Sequence, residues 1–164
     1  MGYDTTFWGE IRFNKPVDEE TKKLLDGLNQ TRRMKRNVGP EYGVEGEFYI
    51  DGTGYRGQGD DSNIIDFNQP PLTQPGLWCQ WRLTKDGQGL EWDEGEKFYD
   101  YIEWMVYLRD KVLNPAGITL ESGEISWESE DSGDLGMIEA DNNKLKINLK
   151  INTGYVEYKT DYEV

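Results

Sequence analysis

The chain has 164 residues with 32 Asp+Glu against 18 Lys+Arg, a formal net charge of −14 at pH 7. That balance excludes a general nucleic-acid binder, which needs a dominant basic surface to displace counterions. The absence of histidine excludes a histidine base and a Ser-His-Asp triad, and the single Cys79 excludes an internal disulfide framework. Hydrophobic residues make up only 35%, but six Trp, ten Tyr and five Phe bury much area per residue, so a packed core is feasible. No apolar run reaches membrane length and the N-terminus has no signal-peptide pattern. The expectation is a soluble cytoplasmic protein without a membrane partner, in the host cytoplasm if phage-encoded.

In chain order, Phe7, Ile11 and Phe13 alternate with Trp8, Glu10 and Arg12, a strand pattern. Asp18 is a helix cap and Glu19 and Glu20 suit a first turn; Leu24, Leu25 and Leu28 form the apolar stripe of a helix closing near 31–33. Residues 45–51 read as a second strand through Phe48 and Ile50. Residues 52–76, rich in Gly and Pro, read as an irregular insertion, uncommon in a compact domain and often functional. Residues 77–84 and 89–92 read as a hairpin turning at Lys85-Asp86-Gly87. The spacing of Phe98, Tyr101, Ile102, Met105, Leu108 and Val112 predicts a long helix over 94–113. Short strands follow at 118–120, 124–128 and 137–139, then 144–151. The tail 152–164 reads as an edge strand or a frayed end.

This order predicts one α+β domain over residues 1–164, with an antiparallel sheet of about five to seven strands and two helices packed on one face. MGYDTTF at 1–7, TRRMKR at 31–36, PLTQPGLWCQW at 71–81, LEWDEGEKFY at 90–99 and GEISWESED at 123–131 resemble a family of small acidic proteins found in phages, prophages and bacteria. The likeness covers residues 1–148; the family's acidic motif usually has Gly where Ser129 stands here. The resemblance implies a phage setting, in which host takeover and counter-defence are the expected roles, and it implies no mechanism.

Charge is unevenly spread. Residues 1–40 sum to +2 and the remainder to −16, and 121–141 holds eight carboxylates and no Lys or Arg. Within that run Glu124, Glu128, Glu130, Asp131 and Asp134 form the candidate partner-binding set, suited to a basic protein surface. The bland alternative is a solvated acidic turn. Its spacing does not match an EF-hand, so no metal and no cofactor are expected. Arg32, Arg33, Lys35 and Arg36 either complement the C-terminus of the first helix or clamp an anion through the arginine fork. Trp78, Trp81 and Trp92 are either core or a stacking platform; Trp78 and Trp81, an odd number apart, face opposite sides of a strand. Cys79 between them reads as a small core residue. The glycine-rich stretch 52–59 lacks the end of a phosphate loop, and Asp60 and Asp61 would repel phosphate.

The leading expectation is a non-enzymatic interaction protein that engages a basic host protein surface, including inhibition of a nucleic-acid-binding or defence protein. The alternative is a small-ligand or nucleotide binder using Arg32, Arg33, Arg36, Trp78, Trp81 and Trp92. A hydrolase with carboxylate acid–base chemistry stands third. A homo-oligomer is compatible with the sequence.

Overall fold

The computed structural model describes residues 3–130 and 133–164. Strand β1 (Thr5–Phe13) buries Phe7, Ile11 and Phe13 and exposes Trp8 and Glu10. Helix α1 (Glu19–Gln30) starts where Asp18 accepts the Thr21 amide at 2.7 Å; such a cap contributes about 1 kcal/mol. Next come β2 (Lys35–Arg36), β3 (Ile64–Asp66), β4 (Trp81–Leu83) and β5 (Gly89–Trp92). Helix α2 (Tyr101–Tyr107) precedes β6 (Leu120–Ser129), β7 (Asp134–Asp141), β8 (Lys144–Asn152) and β9 (Glu157–Glu163).

Seven strands form one antiparallel sheet in the order β4-β5-β1-β6-β7-β8-β9, while β2 and β3 pair apart from it. The class is α+β, as the order of elements predicts. Period-two alternation divides the sheet into two faces. One face carries Phe7, Ile125, Trp127, Ile138 and Ile147, and packs with Leu25 and Leu28 of α1 and Trp104 and Met105 of α2 in one continuous core. Each fully buried aliphatic side chain there stabilises by roughly 1.5–3 kcal/mol. The Phe7 ring lies 5.3 Å from Trp81, 5.6 Å from Phe98 and 5.0 Å from Tyr101, joining hairpin, helix and central strand. Among the described residues no helix covers the opposite face, and none is long and apolar enough to cross a membrane.

Two glycines set the approach of β1 and β6. Gly9 and Gly123 have φ of +102° and +99°, and a Cβ on either would stand 2.2 Å from the Glu124 carbonyl oxygen or 2.4 Å from that of Glu10. Gly123 therefore continues a strand where punctuation by glycine suggests a break, and β6 runs unbroken.

The expected strand over 77–84 is a strand only at Trp81–Leu83, so Trp78 lies outside it, and the expected irregular insertion 52–76 contains β3. Two further elements differ in kind. Residues 45–51 form no strand: Val44–Gly46 is a 3₁₀ turn, and the Phe48 and Tyr49 amides donate to Tyr42 and Gly46. The Glu47 carbonyl, which a strand would use, accepts Arg33 Nη2 at 2.7 Å and Gln74 Nε2 at 2.6 Å. The predicted helix over 94–113 is α-helical only at Tyr101–Tyr107 and continues as a π-helix over Leu108–Leu113. Glu94, Lys97 and Asp100 all have positive φ, which the interior of a right-handed helix excludes, and Asp100 stands as the left-handed residue just before α2 begins. Tertiary bonds hold that stretch instead: the Lys97 amide donates to Asp4, and Gln80 Nε2 donates to the Glu96 carbonyl. The wider i→i+5 turn lets Leu108, Val112 and Leu113 all reach the core. The tail resolves as an edge strand, paired along its length with β8.

Candidate functional site

The acidic candidates divide between surfaces because strand parity separates them. Glu124 and Glu128 are exposed on the uncovered sheet face. Glu130 lies beyond the end of β6, where its carboxylate accepts the Asp4 amide at 3.0 Å. Asp134 shares parity with Gly136 and Ile138, so it lies on the core side, half-buried, and its charge helps burial raise the Tyr101 hydroxyl pKa. Asp131 lies outside the described residues.

Register brings in residues that a reading along the chain misses. Glu10 stands opposite Glu124, and Glu124 opposite Glu139, so three carboxylates from three strands form one row. The row ends at Lys146, followed by Glu163. Directly opposed side chains have Cβ atoms about 5 Å apart, and like charges there are destabilising. Arg12 Nη1 relieves Glu10 at 2.9 Å. The adjacent row runs Trp8, Ser126, Met137, Asn148, Asp161. Trp8 is 53% exposed, and with Leu135 and Met137 it lines an apolar saddle of about 490 Å³. Glu128, Lys150 and Lys159 also line it, in one cross-strand row with Leu135. The signal for this surface was the exposed phase of the β1 alternation, which carries Trp8 and Glu10.

The arginines serve the long excursion between α1 and β4. Arg33 is 2% exposed; it donates to the Glu47 carbonyl and to Gln74 Oε1 at 3.3 Å, and burial pulls its pKa down to about 10. Arg36, equally buried, donates to Asp61 at 3.1 Å, Asn63 at 2.8 Å and the Gly57 carbonyl at 2.8 Å, with Tyr49 stacked 4.8 Å from its guanidinium. Lys35 pairs with Glu45 at 3.5 Å. These cations are bound by loop carbonyls, amides and carboxylates. Asp61 is held below the usual carboxylate range by the Thr53 hydroxyl and amide first, then by Arg36.

The tryptophans separate likewise. Trp81 is fully buried in the core, and Cys79 beside it is a buried thiol whose pKa desolvation pushes up to about 12. Trp92 packs 5.4 Å from Phe7 and donates to Gln80 Oε1 at 3.4 Å. Trp78 alone of the three borders a groove, of about 970 Å³. The guanidinium carbons of Arg32 and Arg56 lie 5.8 and 6.0 Å from its ring centroid. Asn29 anchors the groove floor by donating to Asp93 at 2.9 Å and to the Cys79 carbonyl at 3.0 Å. Arg56 takes positive φ, the kind of backbone strain that clusters at functional sites. Among the described residues no three Cys, Asp or Glu side chains converge as a metal site.

No family model matches the chain, and neither does any curated protein or solved structure, so the site is read from its own geometry.

Proposed function

We propose that this protein works by binding, and that the uncovered sheet face is its docking surface for a basic protein. The observation that carries this reading is the glutamate row Glu10–Glu124–Glu139 beside a strip of the exposed Trp8 and the half-buried Met137 and Leu135. A row of opposed carboxylates costs stability in the free chain, and a cationic partner relieves that cost on binding. An exposed Trp in an apolar strip with charged residues around it has the anatomy of a protein-binding hot spot. The phage resemblance supports a host target of the nucleic-acid-binding or defence type, whose basic groove an acidic sheet face would occupy.

The test is affinity capture from the host cell with wild-type chain, Trp8→Ala, and Glu124→Lys with Glu139→Lys. The expected outcome is a basic protein retained by wild type, released by salt and lost from both variants. Equal retention by all three chains, insensitive to salt, removes the reading.

A second reading has its own observation: Trp78 flanked by Arg32 and Arg56 over a polar groove. That arrangement suits a planar anion such as a nucleotide. Quenching by a nucleoside monophosphate that disappears in Trp78→Phe and weakens in Arg56→Ala supports it; no difference among the chains removes it.

A further inference from the structure

The outer edge of the sheet carries a self-complementary strand. Leu145 and Val164 exchange both backbone hydrogen bonds, at 3.2 and 2.8 Å, and the register pairs Ile147 with Tyr162, Leu149 with Thr160 and Ile151 with Tyr158. Bonded and non-bonded pairs alternate along an antiparallel ladder. Tyr158, Thr160, Tyr162 and Val164 therefore spend their backbone groups on β8. Glu157, Lys159, Asp161 and Glu163 turn theirs outward, toward an edge that no described strand occupies. A seven-residue exposed edge of this kind is a template for strand addition unless something blunts it.

We propose that β9 pairs antiparallel with β9 of a second copy, about a twofold axis through Thr160. This register satisfies the outward amides, because Lys159 opposite Asp161 and Glu157 opposite Glu163 become the bonded pairs. It also sets Lys159 against Asp161 twice, once on each side of the axis. Moving the axis one residue either way stacks Lys159 on Lys159 or Asp161 on Asp161, and like charges directly opposed are unfavourable. The terminal Glu157–Glu163 pairs are the one like-charge contact. Glu157 is offset there by Lys150 and Lys159, each 3.3 Å away.

The side chains agree with the backbone. Tyr158 and Tyr162 come face to face across the axis, on the side of the sheet that also bears the exposed Ile151. The interface is isologous and closes on itself, so it yields a dimer with one continuous sheet. It leaves the Trp78 groove uncovered, although Lys159 and Asp161 also line the saddle. Its readout is the mass of the chain alone, while the docking reading is read from capture of a basic protein by Trp8 and Glu124 variants, so the failure of one is a separate result from the failure of the other.

The experiment is analytical ultracentrifugation of the full chain and of two charge variants, Lys159→Asp and Asp161→Lys, with circular dichroism to confirm folding. Wild type is expected to sediment at twice the chain mass of 19.0 kDa. Each variant alone opposes like charges at both central pairs and dissociates about tenfold more readily, a change that corresponds to 1.4 kcal/mol. Mixed in equal amounts, the two variants oppose Asp to Lys at both pairs and are expected to form a heterodimer. Lys159→Pro, which removes an outward amide together with the Lys159 charge and leaves the bonds to β8 in place, supplies a folded control expected to be monomeric. A wild-type chain monomeric at its highest soluble concentration overturns the proposal, as does a dimer unaffected by the variants or a mixture that stays monomeric.

Discussion

Arg36 and Asp61, 25 residues apart in the chain, meet at 3.1 Å between a nearly inaccessible guanidinium and a carboxylate that Thr53 also holds. That contact closes the long excursion after α1 on itself. The same arginine ties down the Gly57 carbonyl and Asn63, so one side chain organises three turns of loop.

Arg36→Lys is therefore expected to destabilise the protein, by about 1–3 kcal/mol, because an ammonium cannot reach three acceptors in the guanidinium fork and leaves buried acceptors unpaired. Urea unfolding measures it. An unchanged midpoint would show that the loop is held elsewhere.

Acid should loosen the same region and the turn between β4 and β5. The Asp61 pKa is depressed, chiefly by Thr53 and then Arg36, and that of Asp86 by Arg12, then Thr84 and the Gln88 amide. A carboxyl depressed in the folded state contributes stability above its unfolded pKa of about 3.9 and loses it as pH falls through the folded value. Stability should thus hold from neutrality to about pH 4 and decline below it. Asp61→Asn should flatten that decline while lowering stability at neutral pH, measured as urea midpoints against pH.

The glutamate row makes a prediction of opposite sign. Glu124→Gln removes like-charge opposition to both Glu10 and Glu139 and should stabilise the free chain by about 0.2–1 kcal/mol. The gain should shrink with added salt, since exposed charges are screened over about 8 Å at physiological ionic strength. The same variant should bind a basic partner less well, a trade of stability against function. A loss of stability at every salt concentration would mean that Glu124 has a structural role.

Gly123→Ala tests the close approach of β1 and β6. Its Cβ would meet the Glu10 carbonyl at 2.4 Å in a backbone conformation that alanine resists. The expected cost is about 1–3 kcal/mol, read from thermal melting. Trp104, also buried but in ordinary helical backbone, should tolerate Phe better than Gly123 tolerates Ala.

Sequence determined the elements whose local pattern and tertiary role agree. The β1 alternation, the Asp18 cap with the Leu25–Leu28 stripe, the turn at Lys85-Asp86-Gly87 and the α+β class follow from periodicity and capping, which act over a few residues. Tertiary structure decided the rest, because the competing forces came from distant residues. Phe98 and Tyr101 keep helical spacing, yet contacts with Asp4 and Gln80 delay the helix until Tyr101. Glu47 gives its carbonyl to Arg33 and Gln74 in place of a strand partner. The cationic run at 32–36 was visible as charge, but only the folding back of the loop buries Arg33 and Arg36. The acidic run at 121–141 was equally visible, but strand parity turned Glu124 and Asp134 to opposite faces, and register placed Glu10 and Glu139 beside Glu124. Composition supplies the charge of a surface; only the pairing of strands decides which charges share it.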